Sequence, residues 1–366
     1  MSFELVVNRA RADAAGGADA RPSADATGAD APGSAAHAFH SRIEGYAPSE
    51  LREAPELAQA MGAGRVWVKF ERERFGLPAF KILGASWAAE RLLSGRDPQG
   101  VTLVTATDGN HGRAVARVAR MRALAAHILM PAGTAQARID AIAGEGAHVE
   151  VVDGSYDDAV RQAAAMAADD DHLVLSDTSW PGYEDVPRWV VEGYDTIFRE
   201  ADEQLNGERP DIALIPIGVG SLAAAAAAHW ATAPPRLVGV EPVGADCALE
   251  SIRAGERVEV PGPHESIMAG LNAGTVSLTA WPLLRARFDA FCAIEDSWAE
   301  EGMRRLAALG LQAGEVSGGA VGAGLALCGD PGSREQLGIT EKTTLFLLLT
   351  EGVTDPANWQ RVVSGR

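Results

Sequence analysis

Short apolar runs alternate along this chain with Ala-rich segments in which apolar residues recur at helical spacing. Nine of these runs have the length and β-branched content of strands, and they lie at residues 66–70, 101–106, 126–131, 148–153, 173–176, 212–217, 237–241, 291–295 and 344–349. Strands that are apolar on both faces and are followed by helices are typical of parallel sheets. The pattern therefore predicts an α/β fold with mostly parallel sheets covered by helices.

One stretch departs from this alternation. Residues 9–38 are rich in Ala, Gly, Asp and Pro and carry no apolar period, so they bury too little surface to offset the entropy lost on ordering. We expect residues 1–38 to form a disordered leader, with a loose helix over its Ala-rich parts as the alternative. Residues 39–366 are numerous enough for two interleaved α/β lobes, with the smaller lobe at about 100–190. Near the end of the chain, Ser297 to Glu300 has the form of a capping box and predicts a helix start.

Charge and hydropathy exclude two classes of partner. The formal net charge is -18 and the pI is near 4.9, whereas a nucleic-acid partner requires clustered Lys and Arg. The longest uncharged run, residues 212–228, contains Pro216 and a glycine turn and is shorter than a bilayer span. We therefore expect neither nucleic-acid binding nor membrane insertion.

The cysteines and the N-terminal residues indicate in which cellular compartment the protein is expected. Cys247, Cys292 and Cys328 are far apart and show no paired spacing, so neither a zinc site nor a disulfide framework is predicted. The first residues, Met-Ser-Phe-Glu, lack the basic start and the long apolar core of a signal peptide. Both observations favour the reducing cytoplasm, and we expect no metal site.

A lysine in an apolar setting is the first candidate for chemistry. Lys81 lies between Phe80 and the apolar stretch 82–85, where its ammonium would be poorly solvated and its pKa lowered. A neutral lysine amine can form a Schiff base with a carbonyl compound. Just after the strand predicted at 101–106 comes the sequence Thr-Asp-Gly-Asn-His-Gly, residues 107–112.

A glycine turn supplies a candidate anion site. The strand predicted at 212–217 runs into Gly218-Val219-Gly220-Ser221, and an Ala-rich helix follows. Glycines let the backbone approach a phosphate, and the N–H groups at a helix start face it with the positive end of the helix dipole. The alternative is a glycine turn that serves only close packing of strand and helix. A dinucleotide fingerprint is excluded, because the third glycine and the acid at the end of the next strand are missing.

A Schiff-base lysine, an Asn-His-Gly loop and a phosphate site together indicate a phosphorylated aldehyde as cofactor. Their order resembles the fold type II pyridoxal-phosphate enzymes, the tryptophan synthase β-subunit and threonine dehydratase group, over nearly the whole chain after residue 39. Within that group the chain is most similar to the diaminopropionate ammonia-lyase family. Five strings in chain order carry this likeness: RFGLPAFK (74–81), ATDGNHGR (106–113), DTSWPGY (177–183), IMAGL (267–271) and TEGVTDP (350–356).

The resemblance implies how pyridoxal 5'-phosphate would be held. Lys81 would form the Schiff base, Asn110 would bond to the ring hydroxyl of the cofactor, and Thr350 would meet the pyridine nitrogen with its hydroxyl. The phosphate would be held by the backbone of Gly218, Val219, Gly220, Ser221 and Leu222.

The resemblance also implies two catalytic acids besides Lys81. Asp108 stands where most of the wider group has Ser or Thr, and the diaminopropionate branch has Asp there. Asp108 would take the α-proton of a D-substrate and Lys81 that of an L-substrate, while Asp177 would serve the same end of the pocket. The alternative for Asp108 is an Asx turn, and for Asp177 a helix cap. We expect His111 to order its loop rather than act in catalysis.

The activity implied is a carbon–nitrogen lyase reaction, the α,β-elimination of ammonia from D- or L-2,3-diaminopropionate to give pyruvate and ammonia. Alternatives are elimination or β-replacement on serine, threonine or an O-activated serine, and a non-catalytic relative that binds the cofactor. The family also implies a homodimer acting on a small amino acid. The chain departs from the family pattern at 70–72, at Ala223-Ala224 after the glycine turn, and at Val353, where an acid is expected. These positions concern the substrate more than the cofactor.

Overall fold

Two separate β-sheets organise the chain in this computed structural model, which describes residues 1–11, 32–107, 109–167, 169–231 and 235–365. The strands are β1 Phe3–Val7, β2 Glu50–Glu53, β3 Arg65–Phe70, β4 Thr102–Ala106, β5 Ala125–Pro131, β6 His148–Val152, β7 His172–Val174, β8 Ile212–Pro216, β9 Arg236–Pro242, β10 Ala290–Ile294 and β11 Thr344–Leu349. The larger sheet has the order β1-β10-β9-β8-β11-β3-β2, and the smaller has the order β6-β5-β4-β7. All pairings are parallel except those of the two edge strands of the larger sheet, β1 and β2.

Helices cover both sheets. They are α1 Pro32–His40, α2 Pro55–Met61, α3 Lys81–Leu93, α4 Asn110–Met121, α5 Gln136–Ala143, α6 Tyr156–Met166, α7 Asp185–Leu205, α8 Ser221–His229, α9 Cys247–Ala254, α10 Trp281–Arg287, α11 Asp296–Ala308, α12 Glu315–Gly329, α13 Pro331–Leu337 and α14 Pro356–Ser364. A 3-10 turn spans Ala269–Leu271. In the part of the chain that the structure describes, no helix is both long enough and apolar enough to cross a membrane.

The predicted strands agree with the structure. All nine exist, each within two residues of its expected bounds, and the predicted class of helix-covered, mostly parallel sheets is confirmed. The smaller sheet lies at residues 102–174, inside the range expected for the smaller lobe. The sequence pattern missed β1 and β2, because antiparallel edge strands are short and only half buried, so they lack the continuous apolar run of a central strand.

The prediction of disorder for residues 1–38 is wrong at both ends of this segment. Residues 3–7 form β1, which pairs antiparallel with β10, and residues 32–40 form α1 against α7. Strand pairing satisfies the backbone of β1, and the ring of His40 is buried between Thr196 and the carbonyl of Leu83. These long-range contacts offset an ordering entropy that local composition could not. Residues 12–31 of the expected leader lie outside the described residues.

The predicted capping box also differs from the structure. Helix α11 begins at Asp296, one residue before Ser297, and its N-cap residue Glu295 makes no side-chain cap. A capping box exists instead at the start of α6, where the side chains of Ser155 and Asp158 cap each other's backbone N–H groups. Asp158 thus occupies the third helical position, where a capping box usually has Glu or Gln.

Close helix packing positions α3, whose first residue is Lys81. A Cβ atom on Gly84 would lie 2.5 Å from the ring of Tyr194, and one on Gly193 would lie 2.5 Å from the carbonyl oxygen of Leu83. Only glycine therefore permits α3 and α7 to approach this closely. Helices α11 and α12 meet in the same way, since a Cβ on Gly302 would lie 1.9 Å from the carbonyl oxygen of Gly318.

A buried ionic network ties the larger sheet to α7. The ammonium of Lys69 lies 2.9 Å from Glu200 Oε2, and Arg74 bonds both to Glu71 and to Glu200. All four side chains are buried, with at most 2% of each exposed. Burial of so many charges is tolerated only because each has its partner.

Candidate active site

The site lies at the carboxyl ends of the strands, where the two sheets face each other across a cavity. Its walls come from the segments that follow β4, β8 and β11 and from the start of α3. In open α/β sheets, ligands typically bind at this edge. The lining residues are Phe80, Lys81, Ala106, Thr107, Asn110, His111, Tyr156, Asp177, Pro216, Gly218, Val219, Gly220, Ser221, Leu222, Gly270, Leu271, Asn272, Ala273, Val316, Thr350 and Glu351.

Lys81 reaches the cavity in an apolar and aromatic frame. Its ammonium nitrogen lies 5.5 Å from the ring centre of Phe80 and 5.9 Å from that of Tyr194. The same nitrogen donates a hydrogen bond of 2.5 Å to Oδ2 of Asp177. A lysine amine and a carboxylate in contact can exchange a proton, so the geometry makes this pair a candidate for acid–base chemistry.

Few lysines could form the Schiff base, because the whole sequence contains only three. Lys69 is fully buried and bonded to Glu200, Gln204 and the carbonyl of Ser49. Lys342 is exposed in the turn before β11. Only Lys81 lines the cavity.

Asp177 is an ionised, buried acid. Burial alone would raise its pKa, but the charge of the Lys81 ammonium and its hydrogen bond lower the pKa of this carboxyl to about 2. Its side chain therefore carries a negative charge at neutral pH. The helix-cap alternative is not what the structure shows, since the carboxylate faces Lys81 inside the cavity.

His111 packs behind this pair. Its Nε2 lies 2.9 Å from the carbonyl oxygen of Leu175, so Nε2 carries the hydrogen and donates it. Burial lowers the pKa of the imidazole, which keeps the ring neutral. The ring thereby anchors the Asn-His-Gly loop to the segment that carries Asp177, as a loop-ordering role requires.

Asn110 is held by Glu351, an acid for which the sequence predicted no role. The amide nitrogen of Asn110 donates a hydrogen bond of 2.5 Å to Oε2 of Glu351, and the backbone N–H of Val316 donates to Oε1 of the same carboxyl. The donor in this bond is the NH2 group of the amide, so Glu351 fixes that side of Asn110 toward itself and leaves the second N–H for a ligand. The sequence signal that could have pointed to Glu351 is its position just after a central strand, next to Thr350.

Of the two described acids that line the cavity, Glu351 has the higher pKa. Its side chain is buried, and burial together with the nearby carboxyl of Glu315 raises the pKa of Glu351 to about 7. Arg138, on the opposite lobe, acts in the other direction and lowers this pKa. Thr350, the preceding residue, is also buried and lines the cavity.

The glycine turn forms a cradle at the start of α8. Gly220 has a φ of 95°, which favours glycine, and a Cβ on Gly218 would lie 3.0 Å from the carbonyl oxygen of Gly270. The first N–H groups of a helix have no partner within it, and the residues that carry them here, Gly220 to Leu222, line the cavity. The hydroxyl of Ser221 donates to the carbonyl of Asp177, which joins the cradle to the Lys81 side.

Asp108 lies outside the described residues, so its predicted position is not tested. Its neighbours are in place, with the hydroxyl of Thr107 accepting from the N–H groups of Gly109 and Gly112. The predicted cofactor residues from Gly218 to Leu222, with Lys81, Asn110, Thr350 and Asp177, all line one cavity.

These residues fit pyridoxal 5'-phosphate. The cavity offers one lysine amine, a row of helix-terminal N–H groups for a phosphate, an amide donor and a hydroxyl. A side chain in place of Gly218 would contact Gly270 and Leu271, which line the opposite wall of the cradle.

Comparison with known proteins agrees with this fit. The family model of pyridoxal-phosphate dependent enzymes matches residues 43–348. The diaminopropionate ammonia-lyase of Escherichia coli (strain K12) is 36% identical over 358 residues, covering 90% of both chains. The chain belongs to the diaminopropionate ammonia-lyase family. The family's enzyme from Salmonella typhimurium (strain LT2) is 35% identical over 366 residues, covering 89% of this chain and 90% of its own.

Solved structures of the family superpose over the whole chain. The Escherichia coli diaminopropionate ammonia-lyase in complex with D-serine has a TM-score of 0.89 at 31% identity, covering 100% of this chain and 98% of that one. The same enzyme with an aminoacrylate-PLP azomethine reaction intermediate has a TM-score of 0.89 at 32% identity, with the same coverage. The expected family, the fold type II class and pyridoxal 5'-phosphate as cofactor are thereby confirmed, while the roles of individual residues stay predictions.

Proposed function

We propose that this diaminopropionate ammonia-lyase family member catalyses the α,β-elimination of ammonia from 2,3-diaminopropionate, in the D form, the L form or both. The observation that carries the proposal is the contact between Lys81 and Asp177, because it joins the cavity's one lysine to a buried, ionised acid beside the phosphate cradle. The relatives that match over nine-tenths of the chain are named for this substrate.

The cofactor would be held at three points. Lys81 would bind its aldehyde carbon, the N–H groups from Gly218 to Leu222 its phosphate, and Asn110 and Thr350 its ring. When bound, pyridoxal 5'-phosphate supplies an electron sink for the charge left on the substrate's Cα.

The protein's own groups move the protons. The freed amine of Lys81 takes the α-proton of an L-substrate, and Asp108 takes that of a D-substrate from the other face. Asp177 stabilises the resulting Lys81 ammonium and binds the positive β-ammonium of the substrate. The Cα–H and Cβ–N bonds break, a Cα=Cβ bond forms, and the amino group leaves as ammonia. The unsaturated amino acid that departs hydrolyses to pyruvate and a second ammonia.

The two lobes would exclude water from this chemistry. Tyr156 of the smaller lobe and Asn272 of the larger lobe line the cavity and also the wider cleft outside it. A dry cavity strengthens the attraction between Asp177 and a cationic substrate. A cytoplasmic homodimer is part of the same proposal, and light scattering of the purified protein tests its oligomeric state.

The first test locates the cofactor. The loaded protein is reduced with borohydride, and peptide mass mapping is expected to find the label on Lys81 alone. Lys81→Ala should lose the visible absorbance of the loaded protein, whereas the control Lys342→Ala should keep it. Label on Lys342 or Lys69 in place of Lys81 would contradict the proposed attachment.

The second test concerns the substrate. D- and L-2,3-diaminopropionate are supplied separately, and the proposal expects pyruvate with ammonia in a ratio of one to two. Asp108→Asn should remove the D-activity and keep the L-activity. A loaded protein that releases no pyruvate from either isomer, but does so from serine, threonine or an O-activated serine, would replace this substrate with those.

A further inference from the structure

We infer that His127, His148 and Glu150 form a binding site for a divalent transition-metal ion such as Zn²⁺ on the smaller sheet. One ligand atom from each of the three side chains lies within 4.8 Å of the other two. None of the three lines the catalytic cavity. The expectation of no metal site rested on cysteine spacing, and these residues meet only because two strands pair.

Strand register brings the three side chains together. In the parallel pair β5 and β6, His127 lies opposite His148, and Leu129 lies opposite Glu150. Alternate residues of a strand share a face, so all three project from the same side of the sheet. The two imidazole ring centres are 4.6 Å apart.

The geometry requires only small adjustments to hold an ion. Two donors bonded to one tetrahedral Zn²⁺ at roughly 2.0–2.1 Å lie about 3.4 Å apart. Nε2 of His127 is already 2.9 Å from Oε2 of Glu150, and the most distant pair of ligand atoms is within 4.8 Å. Rotation about side-chain bonds covers this difference, because His148 is exposed and the other two are only half-buried.

A neighbouring side chain orients the carboxylate. Nε2 of Gln162, on α6, donates a hydrogen bond of 2.9 Å to Oε1 of Glu150. The second oxygen, Oε2, is thereby directed at His127. Such an outer hydrogen bond is the arrangement that holds metal-bound carboxylates in place.

The donor set selects the class of ion. Two imidazoles and one carboxylate suit Zn²⁺, Cu²⁺ and Ni²⁺, whereas Mg²⁺ prefers oxygen ligands. Three protein ligands leave a fourth position for water. The negative charge of the whole chain, -18, favours the approach of a cation.

An ion here would fasten the edge strand of the smaller lobe. β6 pairs only with β5, and it leads directly to the segment with Tyr156 that borders the cavity. The metal would cross-link β5 and β6 through side chains, in addition to their backbone ladder. The expected effect is stabilisation of the cavity wall, separate from the lyase chemistry.

The test measures Zn²⁺ binding to the cofactor-loaded protein in competition with a chromophoric chelator. We expect one Zn²⁺ per chain, bound at least about tenfold more weakly by His148→Ala and by Glu150→Gln. The matched control is His172→Ala, which removes an imidazole that lies 3.1 Å from Asp169 on the same sheet. This control should bind Zn²⁺ as the unaltered protein does, and excess Mg²⁺ should not compete.

Two further measurements use the same variants. Zn²⁺ should raise the unfolding temperature of the unaltered protein and leave that of His148→Ala unchanged. The electron paramagnetic resonance spectrum of bound Cu²⁺ should show two coupled nitrogens, and one after the His148 substitution. Affinity that is unaltered in His148→Ala, or lost equally in His172→Ala, would overturn the site, as would the absence of saturable binding.

Discussion

Replacing Glu351 with glutamine should change how the stability of the protein depends on pH. Its carboxyl is buried in contact with Asn110, and burial together with Glu315 raises its pKa to about 7 from the ordinary 4.5. The folded protein thus keeps a proton that the unfolded chain has released at the same pH. Stability is therefore greatest below the unfolded pKa and falls as pH rises toward the folded one.

The magnitude follows from the two pKa values. One pKa unit corresponds to about 1.4 kcal/mol, so the shift from 4.5 to about 7 makes an ionised Glu351 unfavourable by about 3 kcal/mol in full. Between about pH 5.5 and about pH 8 the carboxyl should lower the free energy of unfolding by about 2 kcal/mol. Glutamine has nearly the same shape and cannot ionise, so Glu351→Gln should lack this contribution.

The assay is urea unfolding of the cofactor-free protein at both pH values. Every other titrating group is shared, so the difference between unaltered protein and Glu351→Gln reports this carboxyl together with its interaction with Glu315. Glu341→Gln, at an exposed turn position, is the matched control and should keep the full pH dependence. An identical pH dependence in the unaltered protein and Glu351→Gln would refute the reasoning.

Other substitutions test the site and the fold. Asp177→Asn removes the charge opposite Lys81 and should lower kcat by about 100-fold, while the absorbance of the loaded protein persists. A kcat within about tenfold of that of the unaltered protein would contradict the role of this acid. Gly302→Ala forces a Cβ against the carbonyl of Gly318 and should cost about 3 kcal/mol in thermal unfolding, whereas Gly329→Ala, with open space around it, should change little. Glu200→Gln leaves two buried cations short of an acceptor and should cost about 3 kcal/mol in urea unfolding, and a loss below about 1 kcal/mol would count against the network.

The central strands were predictable from sequence because their signal is local. A strand such as β11, buried on both faces, reads as one apolar run whatever lies beside it. β1 could not be found in this way, since its half-exposed pattern gains meaning only from pairing with β10, nearly 290 residues later. The failure at residues 32–40 has the same cause, because α1 is stabilised by α7 rather than by its own composition.

The candidate site could be predicted only in part from residue types, because some of its contacts form only in the folded structure. Lys81 and the glycine turn could be recognised because their surroundings in sequence already specify their chemistry. The role of Glu351 depends on its contact with Asn110, which is 241 residues away in the sequence. For His111 the loop-ordering role was expected, and only its partner, the carbonyl of Leu175, had to come from the structure. Val353 stands where an acid was expected, and Glu351, two residues earlier, lines the cavity.

The scarcity of lysine has a consequence for how cleanly the protein takes up its cofactor. Pyridoxal 5'-phosphate is an aldehyde that condenses with accessible amines, and lysine-rich proteins collect it at many surface positions. Here Lys69 is enclosed by its partners and Lys342 is the exposed lysine, so Lys81 has few competitors. Titration with the cofactor should consequently end near one equivalent per chain, and the colour of the solution would report the occupied fraction of active sites directly.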